Sequence, residues 1–157
     1  MASSFELRFG PRIESVSVVR RFVSDFYKPV LLDEDLASRM ALATHELLEN
    51  AVKYAATGEA EIRIAIETMA DGPSVVIRTM NRATPENLRT AADAFDEMNR
   101  TSDPYEYYQQ VMRRSARRTE GSGLGLARVR AEAEMSLSCD ISDEKLTITA
   151  RGAAGAP

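Results

Sequence analysis

The sequence predicts an α+β fold: a two-layer α/β sandwich in which a mostly antiparallel sheet is covered on one face by helices. Three observations carry this. Stretches that alternate apolar and polar residues occur at the start, middle and end of the chain; stretches with apolar residues three and four apart lie between them. Turn residues join neighbouring strand stretches closely enough to make hairpins. A chain of 157 residues suits one compact domain, expected over 1–152 with a helical insert at 84–120, followed by a disordered tail at 153–157.

The elements follow in order. FELRFG (5–10) alternates Phe5, Leu7 and Phe9 with polar neighbours, and Gly10-Pro11 ends this first strand. Ile13, Val16, Val19, Val23, Phe26 and Tyr27 then recur at helical spacing until Pro29, which predicts an amphipathic helix. A second helix is expected to begin near Asp33 or Asp35, whose carboxylates suit the positive end of a helix. It carries the stripe Leu36, Met40, Ala43, Leu47, Ala51 and Tyr54 until Gly58 stops it. AEIRIAIETM (60–69) and SVVIRTM (74–80) both alternate and are joined by Asp71-Gly72, the clearest hairpin in the chain.

From Pro85 to Asn99 the spacing of Leu88, Ala92, Phe95 and Met98 predicts a helix, and Asp103 followed by Pro104 opens another. LGLARVRAEAEM (124–135) is helical in composition. MSLSCDIS (135–142) and KLTITAR (145–151) make a last pair of strands around Ser142-Asp143-Glu144, and RGAAGAP (151–157) is expected to fray.

Charge and composition narrow the function. Lys plus Arg number 20 and Asp plus Glu 24, a net charge of −4, which argues against nucleic-acid binding through the phosphate backbone. Cys139 is the single cysteine, so no internal disulfide forms; its place in an alternating stretch predicts a small core residue, and a reducing cytoplasm is the expected compartment. MASSFELRFG lacks a basic leader and a long apolar run, and no stretch approaches a membrane span, so neither secretion nor a membrane is expected.

Two stretches carry chemistry. In HELLENAVKYA (45–55), a helix turning about 100° per residue brings Glu46, Asn50 and Lys53 within about 60° of one another, beside the buried face. Asn50 offers an amide oxygen, a hard ligand suited to magnesium; Glu46 can orient or deprotonate an attacking hydroxyl; Lys53 can meet a phosphate as a point charge. The plainer reading is a solvated helix flank with a Glu49–Lys53 pair. His45, about 100° from Glu46 and away from the apolar stripe, is expected to sit at the surface.

In EGSGLGLARVR (120–130), Gly121, Gly123 and Gly125 permit a backbone whose N–H groups converge on an anion, and the following helix adds its positive end. The plainer reading is a flexible turn before a helix. It is neither the dinucleotide fingerprint nor a Walker A loop, which need a different spacing or a Gly-Lys-Ser/Thr. The insert between the two stretches carries Tyr105, Tyr107, Tyr108 and then Arg113, Arg114, Arg117 and Arg118. One of these arginines reaching a phosphate or an acidic partner competes with a plain solvated basic face, the better account for most of the four.

Taken together, Glu46-x-x-x-Asn50, Ala51-Val52-Lys53-Tyr54-Ala55, a strand ending at Asn81, an insert and Gly121-Ser122-Gly123-Leu124-Gly125-Leu126 resemble the GHKL superfamily of ATP-binding domains. The resemblance spans nearly the whole chain. It is nearest to the small anti-sigma-factor serine/threonine kinases, because no dimerising phospho-acceptor helices accompany the domain. The resemblance implies a Bergerat-type fold with a mixed sheet, and ATP with magnesium as cofactors. It implies magnesium ligation by Asn50, a catalytic-base role for Glu46, and phosphate contact by Lys53 and the turn Gly121, Ser122, Gly123, Leu124 and Gly125. Asn81 takes the place of the aspartate that accepts from the adenine amino group, and Ala83 that of the glycine after it. The amide keeps an acceptor but loses the charge, about 1–2 kcal/mol of nucleotide affinity.

The implied activity is phosphorylation or sequestration of a small anti-sigma-antagonist-like protein, with a sigma factor or a second copy of the chain as further partners. The competing expectation, favoured by Asn81 and Ala83, is a degenerate binding module with weak or no nucleotide binding. A third, the catalytic fragment of a histidine kinase, lacks the phospho-acceptor helix.

Overall fold

The computed structural model describes residues 3–116 and 123–153. Their elements run β1 (Ser3–Phe9), α1 (Ile13–Leu31), α2 (Glu34–Tyr54), β2 (Ala60–Met69), β3 (Gly72–Arg82), α3 (Pro85–Arg100), α4 (Pro104–Ser115), α5 (Leu124–Ala131), β4 (Ser136–Ser142) and β5 (Lys145–Ala153). The strands form one sheet in the order β1-β2-β3-β5-β4. Every pairing in it is antiparallel, which corrects the mixed sheet that the resemblance implies. The connections explain this. Ala70 and Asp71 alone separate β2 from β3, and Asp143 and Glu144, both at positive φ (52° and 61°), make the reversal from β4 to β5. The pair α1–α2 returns the chain from β1 to the antiparallel neighbour β2.

The alternation read from the sequence divides the sheet into two faces. Ile62, Ile64 and Ile66 of β2, Val75 and Ile77 of β3, and Leu146, Ile148 and Ala150 of β5 are buried, and they join Val16, Val19, Val23 and Tyr27 of α1 and Met40, Ala43 and Leu47 of α2 in one core. From the insert, Ala91, Phe95 and Met98 of α3 and Tyr107 and Val111 of α4 reach the same core. The insert is thus packed structure where it is described.

Caps set the helix starts. The Asp33 carboxylate accepts from the Leu36 N–H at 2.9 Å, Thr84 from Asn87 at 3.2 Å, and Asp103 from Tyr105 and Glu106 at 2.9 and 3.3 Å. Pro85 and Pro104 fill the first helical positions, where no N–H is missed.

Four local expectations change. α1 continues through Pro29 to Leu31, because a proline in the last turn forfeits one hydrogen bond while Val30 and Leu31 still gain burial. α2 ends at Tyr54, ahead of Gly58, where Ala55 turns extended and the Ala56 N–H donates to the Arg82 carbonyl at 2.9 Å. The expected fraying from residue 151 does not occur over Arg151–Ala153, which pair with β3, and residues 154–157 lie outside the described chain. Cys139 is half-buried on β4, its thiol pushed up to about 11, chiefly by burial. No helix among the described residues is long and apolar enough to cross a membrane.

Candidate functional site

The stripe of α2 that packs on the sheet fixes which way its polar edge faces. Leu47, Leu48 and Ala51 are buried in the helix layer, which brings Glu46, Asn50 and Lys53 to the mouth of a cleft of about 470 Å³ between α2 and the start of α5. Gly123, Leu124, Gly125 and Arg128 form the opposite wall, and Ile13 at the start of α1 also lines the cleft. Residues 82 positions apart thus share one surface.

Gly123 caps α5 with φ +76°, a left-handed conformation that a side chain would strain, and no side chain among the described residues caps the helix in its place. The N-terminal turn of α5 therefore opens onto the cleft with its N–H groups uncapped by a side chain. Gly125 has a different reason to be glycine. A Cβ there would collide with the Glu46 carboxylate Oε2 and come within 3.3 Å of its Cδ, so the two stretches singled out in the sequence meet at this contact.

Glu46 is 7% exposed. Its Oε1 accepts from Arg128 Nη1 at 2.8 Å, an ion pair. The carboxyl is nevertheless held above its ordinary range: desolvation is the largest influence, only partly opposed by Arg128, with Glu49 adding to the rise. A carboxylate shifted upward in a cleft is suited to accept a proton. Glu49 pairs with His45 Nε2 at 3.1 Å, and Lys53 Nζ stands 5.1 Å from the Tyr54 ring centroid. His45 is partly buried, where a surface or capping role is expected, and its Nδ1 is enclosed without a partner among the described residues.

Asn50 Nδ2 is also buried, with no hydrogen-bond partner among the described residues. An unsatisfied buried amide inside a protein costs free energy, so a group able to satisfy it is favoured there. A nucleotide fits: its phosphate oxygens accept from Nδ2, and the amide oxygen is a hard ligand for the accompanying magnesium. No cluster of three or more His, Cys, Asp or Glu capable of holding a metal by itself exists among the described residues, so such an ion would rely on phosphate oxygens and water.

Asn81 is not part of this cleft. It lies at the end of β3, 3% exposed, donates from Nδ2 to the Arg82 carbonyl at 3.1 Å, and adjoins a separate depression with Arg8, Gly58 and Lys145. Ala83 is buried, its N–H donating to the Glu144 carbonyl at 2.9 Å, and its backbone is not at positive φ, so this fold has no need of glycine there. Gly121 and Ser122, like Arg117 and Arg118, lie outside the described residues. Arg114 pairs with Glu97 of α3, and Arg113 is exposed, in line with a solvated basic face.

Arg128 is the residue that sequence reasoning missed. It stands three positions after Gly125, hence on the same face of α5, but its carboxylate partner is distant in sequence and leaves no local signal.

No curated protein matches the chain. Among solved structures, a chain in the crystal structure of the SiaB–SiaC complex from Pseudomonas aeruginosa is similar, with a TM-score of 0.62 over 94% of this chain and 89% of that one. The identity is 16%, so the likeness is one of fold. Residues 9–151 match the family model described as the histidine kinase-like ATPase domain, a span that takes in both cleft walls, β2, β3, β4 and β5 as far as Arg151 but only Phe9 of β1, and the chain belongs to that family.

Proposed function

We propose that the protein is an ATP-binding regulatory serine/threonine kinase of the anti-sigma type, which phosphorylates a small antagonist-like protein. The observation that carries this reading is the single cleft in which Glu46, Asn50 and Lys53 face the glycine-started end of α5. Each group has a role there. Lys53 and the α5 N–H groups hold phosphate oxygens, and Asn50 holds the magnesium, which when bound offsets the charge of the phosphoryl group. Glu46, raised above the ordinary carboxylate range, receives the proton of the attacking serine or threonine hydroxyl. Asn81 Oδ1 keeps its capacity to accept while Nδ2 is used on the Arg82 carbonyl, but it lies apart from the cleft and no adenine contact is assigned to it.

A partner surface is available across α2. Arg20 and Arg21 of α1 line, with His45 and the Lys28–Asp25 ion pair, a groove of about 450 Å³ whose two arginines complement an acidic partner face.

The test is calorimetry of the purified protein with ATP, with and without magnesium, beside phosphotransfer from γ-labelled ATP to a purified antagonist-like protein. Micromolar magnesium-dependent binding, lost in Asn50→Ala, and label transfer reduced at least about 100-fold in Glu46→Gln are expected. Undiminished transfer in both variants would reject the residue roles. A second reading, sequestration without nucleotide, draws on Asn81, an amide set apart from the cleft. Partner binding indifferent to ATP, in protein that gives no heat with millimolar ATP, would establish it instead.

A further inference from the structure

We propose that Arg128 is the positioning residue of Glu46, and that Tyr108 and Glu132 tie Arg128 to the helical insert, so that the placement of α4 is coupled to that carboxylate. The inference rests on the reading of Glu46 as the reactive carboxylate of the cleft, and its geometry is independent of any nucleotide. Arg128 is forked between two carboxylates: Nη1 donates to Glu46 at 2.8 Å and Nη2 to Glu132 at 3.4 Å. The Tyr108 hydroxyl of α4 donates to the other oxygen of Glu132 at 2.8 Å. A continuous chain therefore runs Tyr108, Glu132, Arg128, Glu46, from the insert to α2.

The chain passes from solvent to interior. Side-chain exposure is 38% at Glu132, 35% at Arg128 and 9% at Glu46, so the inner pair is the less screened of the two and the outer pair the more adjustable. One guanidinium serves two anions, and a donor that satisfies an oxygen of one of them leaves the guanidinium more to the other. The Tyr108 hydroxyl does this for Glu132. If α4 shifts and withdraws that hydroxyl, Glu132 draws Arg128 outward and Glu46 loses part of its counter-charge. The other titratable groups that act on Glu46 are His45 and Glu49 of its own helix, which meet each other at 3.1 Å. Gly125 packs against the same carboxylate.

The test is the ¹³C titration of the Glu46 side-chain carboxyl in the nucleotide-free protein, with amide spectra confirming the fold of each variant. Arg128→Gln should move the titration of Glu46 upward, because desolvation then loses its main opponent, and Arg128→Lys should fall between it and the unaltered protein, keeping the charge but not the fork. Tyr108→Phe should move it upward by a smaller step. Glu132→Gln should move it downward, since it removes both a nearby like charge and the competitor for Arg128.

The opposed signs are the signature of the coupling. An unchanged Glu46 titration in Tyr108→Phe, or an upward move in Glu132→Gln, would overturn the proposal; these two changes lie on partly exposed side chains and decide the matter even if Arg128→Gln fails to fold. Absence of ATP binding would reject the kinase reading without altering any of these titrations.

Discussion

Gly125 and Glu46 form the most restrictive contact of the site. An alanine placed at a helical glycine ordinarily stabilises by about 1 kcal/mol through reduced backbone entropy. Here its methyl would push the Glu46 carboxylate off Arg128 and leave two partly desolvated charges apart. Gly125→Ala is therefore expected to destabilise by about 1 kcal/mol instead. In a Glu46→Ala background the same change should stabilise by about 0.5–1 kcal/mol, because the collision is gone. Urea denaturation of the four proteins measures both signs; equal effects of Gly125→Ala in the two backgrounds would show that the carboxylate does not press on this glycine. The identity of Gly125 was legible in the sequence as a candidate for close approach to an anion. That the anion it already faces is the chain's own Glu46 was not, since a contact between distant segments has no period to reveal it.

At the level of elements, α1 and α2 are joined by a buried hydroxyl chain as well as by apolar packing. Thr44 donates to the Met40 carbonyl at 2.8 Å, which leaves the Tyr27 hydroxyl, 2.9 Å away, as donor to Thr44. Burial raises the Tyr27 phenol well above its ordinary range, so it stays protonated and keeps its donor role at every pH at which the protein is handled. Thr44→Val should cost about 1–3 kcal/mol, because the phenol is then enclosed without an acceptor. Adding Tyr27→Phe should recover most of that loss, and a double variant no more stable than Thr44→Val in thermal unfolding would reject the account. Both helices were legible from their apolar stripes. Tyr27 was legible as a member of the first stripe, but its partnership with Thr44 required the crossing of the two helices, which no single-helix pattern contains.

For the whole molecule, α2 separates two surfaces of different character. Glu46, Glu49 and Asn50 line the cleft on one side, while His45, with Arg20 and Arg21 of α1, lines the basic groove on the other. A partner with an acidic face should therefore respond to the groove and ATP to the cleft. Arg20→Glu combined with Arg21→Glu is expected to weaken the antagonist-like partner by at least about tenfold, with a smaller effect at high salt, and to leave ATP affinity within about twofold. Surface resonance with the partner and calorimetry with ATP read the two separately. Parallel losses in both would mean that the two surfaces are not independent.

The sequence by itself determined the order of the elements, the inward face of β1, β2 and β3 and of α1, α2 and α3, the starts of the capped helices, and the family. These are set by spacing and by chemistry within a few residues, the range over which backbone hydrogen bonding and side-chain periodicity act. Only the tertiary structure decided that the sheet is antiparallel throughout, that Asn81 stands apart from the cleft with Asn50, and that Glu46 is held by Arg128 and pressed by Gly125. Each of these depends on segments that meet only after the sheet and the helix layer have packed. The free energy of such a contact arises from burial and charge at the meeting point, and neither exists until the chain has folded to create it.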